Sequence, residues 1–145
     1  MGSVGNEVTE VVMRQDISKL TPSQRKVMER VYDNVEFART HSPLEWGLRQ
    51  RYDRVTLDGM DDYILVKRYA DYNFKSAEDA KERMLREAQE YADEYRKYYE
   101  NLKKGIALTY TSSNTLRALE SRGYIRIIED GKSYTDTVEI IERRR

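Results

Sequence analysis

The last third of the chain places two kinds of local pattern directly after one another. Residues 111–122 have the composition of a capped helix, and Gly123 is a helix stop. Residues 124–129 and 134–142 are rich in β-branched and aromatic side chains, and the segment 130–133 between them, Asp-Gly-Lys-Ser, is a tight-turn signal. The sequence therefore predicts a short helix followed by a two-stranded hairpin.

The predicted helix has two different sides. Leu116 and Leu119, with Ala118, form a narrow apolar side. The opposite side carries short polar residues and one arginine: Ser112, Ser113, Asn114, Thr115, Arg117 and Ser121. Such a side allows the helix to approach another surface closely, so we expect the apolar side to be buried and the polar side to be free.

This order of helix and hairpin resembles the recognition helix and wing of the winged helix-turn-helix DNA-binding superfamily. The resemblance covers residues 98–142, with 105–110 as the turn of the motif. The start Leu20-Thr21-Pro22-Ser23-Gln24 is similar to the first helix of several repressor domains of this class. About 60 residues follow that helix where the family has a short linker, so either the chain is an elaborated member or the first helix belongs elsewhere.

The resemblance implies a set of DNA contacts. Arg117 is suited to a guanine edge, Asn114 to adenine, and the hydroxyl groups at the start of the helix to phosphates or bases. The full predicted set is Lys104, Tyr110, Ser112, Ser113, Asn114, Thr115, Arg117 and Ser121, with Lys132 at the tip of the wing. No cofactor, metal or catalytic residue is part of this hypothesis.

The remaining chain predicts further elements. Residues 1–18 show no period and are interpreted as an arm, either unfolded or adding an edge strand from Val8 to Met13. Residues 19–145 are interpreted as a single elaborated winged-helix domain. Residues 54–74 resemble an inserted β-hairpin with its turn at Asp58-Gly59. Residues 76–104 predict one long helix with Ser76 as its N-cap. The predicted class is α+β.

An apolar stripe along the long helix has a spacing of four and three residues, as in a coiled coil. It consists of Met84, Ala88, Tyr91, Tyr95, Tyr98 and Leu102. The stripe has two interpretations: packing within the monomer, or the seam of a homodimer that would hold two recognition helices on a palindromic site.

Charge and composition limit the function classes. Lys plus Arg and Asp plus Glu balance at 26 each, which counts modestly against a nucleic-acid partner. The acidic excess lies in residues 55–102, with 8 basic and 12 acidic side chains, whereas 103–145 carry 9 and 6. The chain has no cysteine, no long apolar stretch and no signal-like start, so we expect a cytoplasmic protein without a membrane partner.

Two rival hypotheses stay open at this point. The first is a winged-helix protein-interaction module, an adaptor or inhibitor, with the tyrosine-rich helix as its contact surface. The second is a small hydrolase or nuclease that uses the acidic turn at Asp58, Asp61 and Asp62. His41 is isolated in the sequence and is interpreted as a surface or capping residue rather than a catalytic base.

Overall fold

The structure is a computed structural model and describes residues 12–67, 76–129 and 136–142. These residues form six helices and three strands. In chain order they are α1 (Pro22–Thr40), α2 (Pro43–Arg51), α3 (Met60–Lys67), α4 (Ala77–Glu94), α5 (Arg96–Lys103), β1 (Ile106–Thr109), α6 (Ser113–Ser121), β2 (Ile125–Glu129) and β3 (Asp136–Ile140). The α+β class predicted from the sequence is confirmed.

The chain divides into two compact units. Residues 41–99 form one, which we call the helical unit. The described parts of 1–40 and 100–145 form the other, the sheet unit. Where the sequence predicts one domain over 19–145, the structure therefore places most of the long insertion after α1 in a compact unit of its own.

The sheet unit is built on a three-stranded antiparallel sheet with the strand order β1-β3-β2. Ala107 pairs with Val138, and Ile127 pairs with the same residue from the other side. The inward side chains of the strands join a core with residues of α1 and α6, which contact each other, while α1 also contacts β1 and α6 contacts β2. The core includes Met28, Val31, Tyr32, Val35, Leu116, Leu119, Ile125 and Val138.

The helix and hairpin predicted at the end of the chain are both confirmed. The helix begins one residue after its N-cap, Ser112, so Thr111 precedes it, and it ends at Ser121. Gly123 has φ +83°, a left-handed conformation that ends helices and favours glycine. The strands β2 and β3 lie within the predicted ranges, while the turn between them, with Lys132, lies outside the described residues.

The connection from α5 to α6 differs from the prediction. Residues 105–110 were expected to form the turn of a helix-turn-helix, but Ile106–Thr109 form β1 and pair with β3. The reason is the alternation of this segment: Ala107 and Thr109 are buried, while Ile106 and Leu108 are half-buried on the other side. A helix-turn-helix joined by a turn of about 3–4 residues is therefore not formed here.

The segment from Val12 to Ser18 is packed, so the predicted arm is wrong for these residues. The buried side-chain amide of Gln15 donates to the carbonyl oxygens of Gly123 (2.9 Å) and Ile141 (2.6 Å). The Tyr124 hydroxyl donates to the backbone oxygen of Asp16 at 2.7 Å. These contacts fix the segment against the end of the hairpin without adding a strand; Val8 lies outside the described residues.

The helical unit packs α2 and α3 against α4. Ser42 and Glu45 form the capping box that begins α2. Gly47 lies so close to α4 that an added β-carbon would be 2.2 Å from the backbone oxygen of Ala88. The core of the unit consists of Leu48, Tyr52, Val55, Met60, Ile64, Ala80, Met84 and Ala88.

The predicted inserted β-hairpin is wrong for the described part of 54–74. Residues 60–67 form α3 instead, and 68–74 lie outside the described residues. Asp61 and Asp62 lie in the first turn of α3, where the helix dipole favours carboxylates. Met60 and Ile64, which lie four residues apart on one side of this helix, both enter the core.

The predicted long helix 76–104 is broken. Ser76 caps α4 as predicted, but the helix ends at Glu94, and Tyr95 (φ −108°, ψ 29°) separates it from α5. The predicted stripe includes Tyr98, but Tyr98 is 47% exposed. Because of the break, the neighbouring Tyr99 is buried instead and is only 3% exposed. Tyr99 packs against Trp46 and donates its hydroxyl to the His41 oxygen at 2.7 Å. These contacts outweigh the continuous helical pattern of the sequence.

Candidate nucleic-acid interface

The exposed side of α6 is the surface on which most predicted site residues come together. Leu116 and Leu119 are fully buried against the sheet unit, which fixes the rotation of the helix about its axis. Thr115 is half-buried, and the other predicted residues of this helix are exposed: Ser112, Ser113, Asn114, Arg117 and Ser121. The polar side of α6, which the sequence predicts to be free of contacts within the protein, is therefore exposed to solvent.

The N-terminal end of α6 has a defined hydrogen-bond geometry. The Ser112 side chain accepts from the backbone N–H of Thr115 at 3.3 Å and lies 2.9 Å from the Thr115 hydroxyl. The first hydrogen bond between backbone groups runs from Leu116 N–H to Ser112 O. The N–H groups of Ser113 and Asn114 precede it and point out of the helix end, where an anion is favoured by the helix dipole. Ser112 and Thr115 thus serve first as caps, and Asn114 and Arg117 are the long side chains left for recognition.

The charged groups beside the exposed side of α6 include one carboxylate, that of Glu120. Glu120 of α6 accepts a hydrogen bond from the backbone N–H of Ile127 at 2.8 Å, so its carboxylate is held towards β2. Arg122, just after the helix, donates to the Gln24 side chain at 3.3 Å. Arg117 makes no ion pair with any residue that the structure describes.

Two further predicted residues are placed less specifically. Tyr110 is 71% exposed and lies three residues before Ser113, the first residue of α6. Lys104 is exposed after the end of α5. Lys132 lies outside the described residues, so its predicted contact stays a prediction.

A groove beside α6 was not found by sequence reasoning. It has a volume of about 300 Å³ and lies between α1 and the segment 108–111. Exposed Lys26 and Arg30 of α1 line it, and neither side chain forms an ion pair among the residues described. Their isolation was hidden in the sequence because Asp33 lies three residues after Arg30 and would be assigned to it. In the structure Asp33 pairs with Arg14 at 2.9 Å.

Some residues of the predicted dimer seam lie in the core of the protein, and the others lie at its surface. Met84 and Ala88 are buried in the core of the helical unit, so packing within the monomer is the correct interpretation for both. Leu102 is also buried, in the sheet unit. Tyr91, Tyr95 and Tyr98 remain at least partly exposed.

The three remaining tyrosines form a ladder of rings. Tyr91 and Tyr95 have centroids 4.5 Å apart, and Tyr95 and Tyr98 5.8 Å apart. The ring of the buried Trp46 packs against the first of these tyrosines, with its centroid 5.8 Å from that of Tyr91. The charge of Glu94 and a hydrogen bond to it raise the pKa of Tyr95, so its hydroxyl stays protonated at neutral pH. We call Tyr91, Tyr95 and Tyr98 the tyrosine ladder.

The other candidates form no site within the described ranges. Asp61 lies 3.5 Å from Lys81 as an exposed ion pair, and Asp58 and Asp62 are exposed. No group of three or more histidine, cysteine or carboxylate side chains is arranged to hold a metal ion among residues 12–67, 76–129 and 136–142.

The chain matches no protein-family model, no curated protein and no solved structure. Among the helices that the structure describes, none has the length and apolar character needed to cross a lipid bilayer.

Proposed function

We propose that the protein binds double-stranded DNA in a sequence-directed manner, with α6 as the recognition helix. The observation that carries the proposal is that α6 has two different sides. Leu116 and Leu119 are buried on one side. Asn114 and Arg117 lie on the other side, which is exposed and otherwise lined by short residues. The major groove of DNA is wide enough for an α-helix, and short side chains let the helix backbone approach the base edges.

The polar groups on the exposed side of α6 are suited to contacts with DNA base edges and with the phosphates of the DNA backbone. Arg117 would donate two hydrogen bonds to O6 and N7 of guanine, and Asn114 would pair with N6 and N7 of adenine. The N–H groups at the start of α6 would bind a phosphate, with Ser113 beside them. Binding without catalysis is the proposed activity, and the cytoplasm is the proposed location.

The winged-helix interpretation remains part of this proposal. In its support, α6 is followed directly by the antiparallel strands β2 and β3, whose connecting segment would act as the wing. The strand β1 before α6 requires a modified version of the motif, in which α1 rather than a directly preceding helix supports the recognition helix. The contact between α1 and α6 is consistent with this arrangement.

We further propose that the protein acts as a homodimer and that the tyrosine ladder forms the contact. Tyrosine is favoured at protein interfaces because its ring buries apolar area while its hydroxyl keeps a polar partner. A dimer would present two α6 helices to a palindromic site.

Selection of bound duplexes from a random pool tests the proposal. An enriched sequence, bound more tightly than random duplex by at least about tenfold at 150 mM salt, is the expected result. Enrichment of a palindrome would additionally support the dimer. Absence of any duplex binding at low salt, where even non-specific contacts with phosphates are strong, would contradict it.

A protein-interaction module is the second candidate function. The balance of charges and the exposure of Tyr98 favour it, because neither feature attracts a phosphate backbone. The same low-salt titration separates the two: an adaptor should not bind random duplex, whereas a DNA-binding protein should.

A further inference from the structure

The groove between α1 and residues 108–111 is lined by two positive charges. Lys26 and Arg30 lie four residues apart on α1, a spacing at which like charges repel and cost helix stability. Because Asp33 is paired with Arg14, neither cation has a carboxylate partner among the described residues. An anion bound from solution would relieve the repulsion between two such cations at one concave site.

The rest of the lining indicates what the anion is attached to. Ser23 and Asn34 on α1, with Thr111 opposite, supply neutral hydrogen-bonding groups. Val27 and Leu108 supply an apolar wall. Tyr110 exposes 71% of its surface at the rim, where its ring can stack on a planar group. A volume of about 300 Å³ lies at the lower end of the range of small-molecule pockets.

We infer that this groove binds an organic phosphate of about mononucleotide size, with the phosphate between Lys26 and Arg30 and the planar ring on Tyr110. The ligand is either a free nucleotide or a phosphate and base of a nucleic-acid strand, which share this chemistry. The inference does not depend on base recognition by α6, because neither Asn114 nor Arg117 lines the groove; Tyr110 is the one residue that it shares with the predicted DNA contacts.

Titration calorimetry with adenosine 5′-monophosphate, adenosine and inorganic phosphate tests the inference. We expect the nucleotide to bind at least about tenfold more tightly than either of its parts. The double variant Lys26→Gln, Arg30→Gln should lose at least about tenfold in nucleotide affinity, and Tyr110→Ala should weaken the nucleotide but not inorganic phosphate. The matched control is Arg86→Gln, an exposed cation of the helical unit without an ion pair in the described chain.

The outcomes are distinct. No nucleotide binding at millimolar concentration, or equal affinity in the parent protein and the double variant, would overturn the inference. Displacement of the bound nucleotide by random duplex would identify a nucleic-acid strand as the source of the phosphate, and absence of displacement would identify a free nucleotide. Since no variant here changes Asn114 or Arg117, failure of this titration leaves the DNA selection experiment unaffected.

Discussion

Arg39 and Glu142 form a two-point ion pair inside the sheet unit, with nitrogen–oxygen distances of 2.9 and 3.1 Å. The Arg39 side chain is only 9% exposed, and its third nitrogen donates to the backbone oxygen of Lys103 at 3.0 Å. The same carboxylate accepts from the Met13 N–H. One arginine near the end of α1 thus joins the end of α5, the chain after β3 and the N-terminal segment.

Replacing Glu142 by glutamine should destabilise the protein by about 2 kcal/mol, because it leaves a poorly exposed guanidinium without a counter-charge. Urea unfolding followed by circular dichroism measures the loss. The control is Arg14→Gln, which breaks exposed pairs with Asp33 and Glu36 and should cost less than about 1 kcal/mol. Equal losses for the two variants would show that the buried pair has no special role.

Gly47→Ala should destabilise the helical unit by about 2 kcal/mol or more, because the added methyl group would collide with the backbone of Ala88, which cannot move without separating α2 from α4. Fluorescence of Trp46, which lies in the same unit, reports its unfolding. Gly59→Ala is the matched control. Its added carbon would meet only the Thr56 side chain at 3.1 Å, so a cost under about 1 kcal/mol is expected. A tolerated Gly47→Ala would mean that the two helices are not held at this distance.

Glu87 should make the helical unit sensitive to acid. Burial alone would raise the pKa of Glu87, but the hydrogen bonds from Tyr52 (2.7 Å) and Arg83 and the charges of Arg51 and Arg83 outweigh it, so this pKa lies below its ordinary value. A carboxyl group with a lowered pKa stabilises the folded state above its ordinary pKa, and the contribution is lost as the pH falls through the folded-state pKa.

Glu87→Gln should therefore lower the free energy of unfolding by about 1 kcal/mol at pH 7, and the difference from the parent protein should shrink below about pH 4. Tyr52→Phe removes one of the hydrogen bonds that stabilise the Glu87 carboxylate. The free energy of unfolding of this variant should therefore also depend less on pH in the acid range than that of the parent protein. Urea titrations of the three proteins at several pH values provide the measurement. A difference that stays constant from pH 7 to pH 3 would contradict the assignment.

The tyrosine ladder predicts a concentration-dependent dimer. Tyr98→Lys places a charge at its exposed end and should shift sedimentation equilibrium to the monomer without lowering stability, because 47% of the tyrosine surface is exposed. Leu65→Lys, at a residue that is 73% exposed on α3, is the control and should leave association unchanged. A parent protein that is monomeric at millimolar concentration would exclude the dimer.

The elements predicted best are those whose signals are local. The caps at Thr21 and Ser76 act within three residues, and the stop at Gly123 requires only its own backbone conformation. The amphipathic pattern of α6 also needs no partner to be recognised. For these reasons the helix, the hairpin and the exposed side of the candidate site were predictable from the sequence.

The elements predicted wrongly are decided by distant contacts. The break at Tyr95 follows from the packing of Tyr99 on Trp46, and the position of the N-terminal segment from hydrogen bonds between Gln15 and residues more than 100 positions away. The groove cations were missed for the same reason, since the ion pair of Asp33 with Arg14 involves a segment interpreted as an arm. A local sequence pattern does not show which distant residues will form these packing contacts, hydrogen bonds and ion pairs.

The central claim is that Arg117 reads a base from the exposed side of α6. Fluorescence anisotropy with the enriched duplex and with the same duplex changed at one base pair tests it most directly. Relative to the parent protein, Arg117→Ala should lose about 1–3 kcal/mol of discrimination at one position and keep most of its affinity for random duplex, while Arg86→Ala should change neither. An equal loss on every duplex, or no loss at all, would contradict the claim.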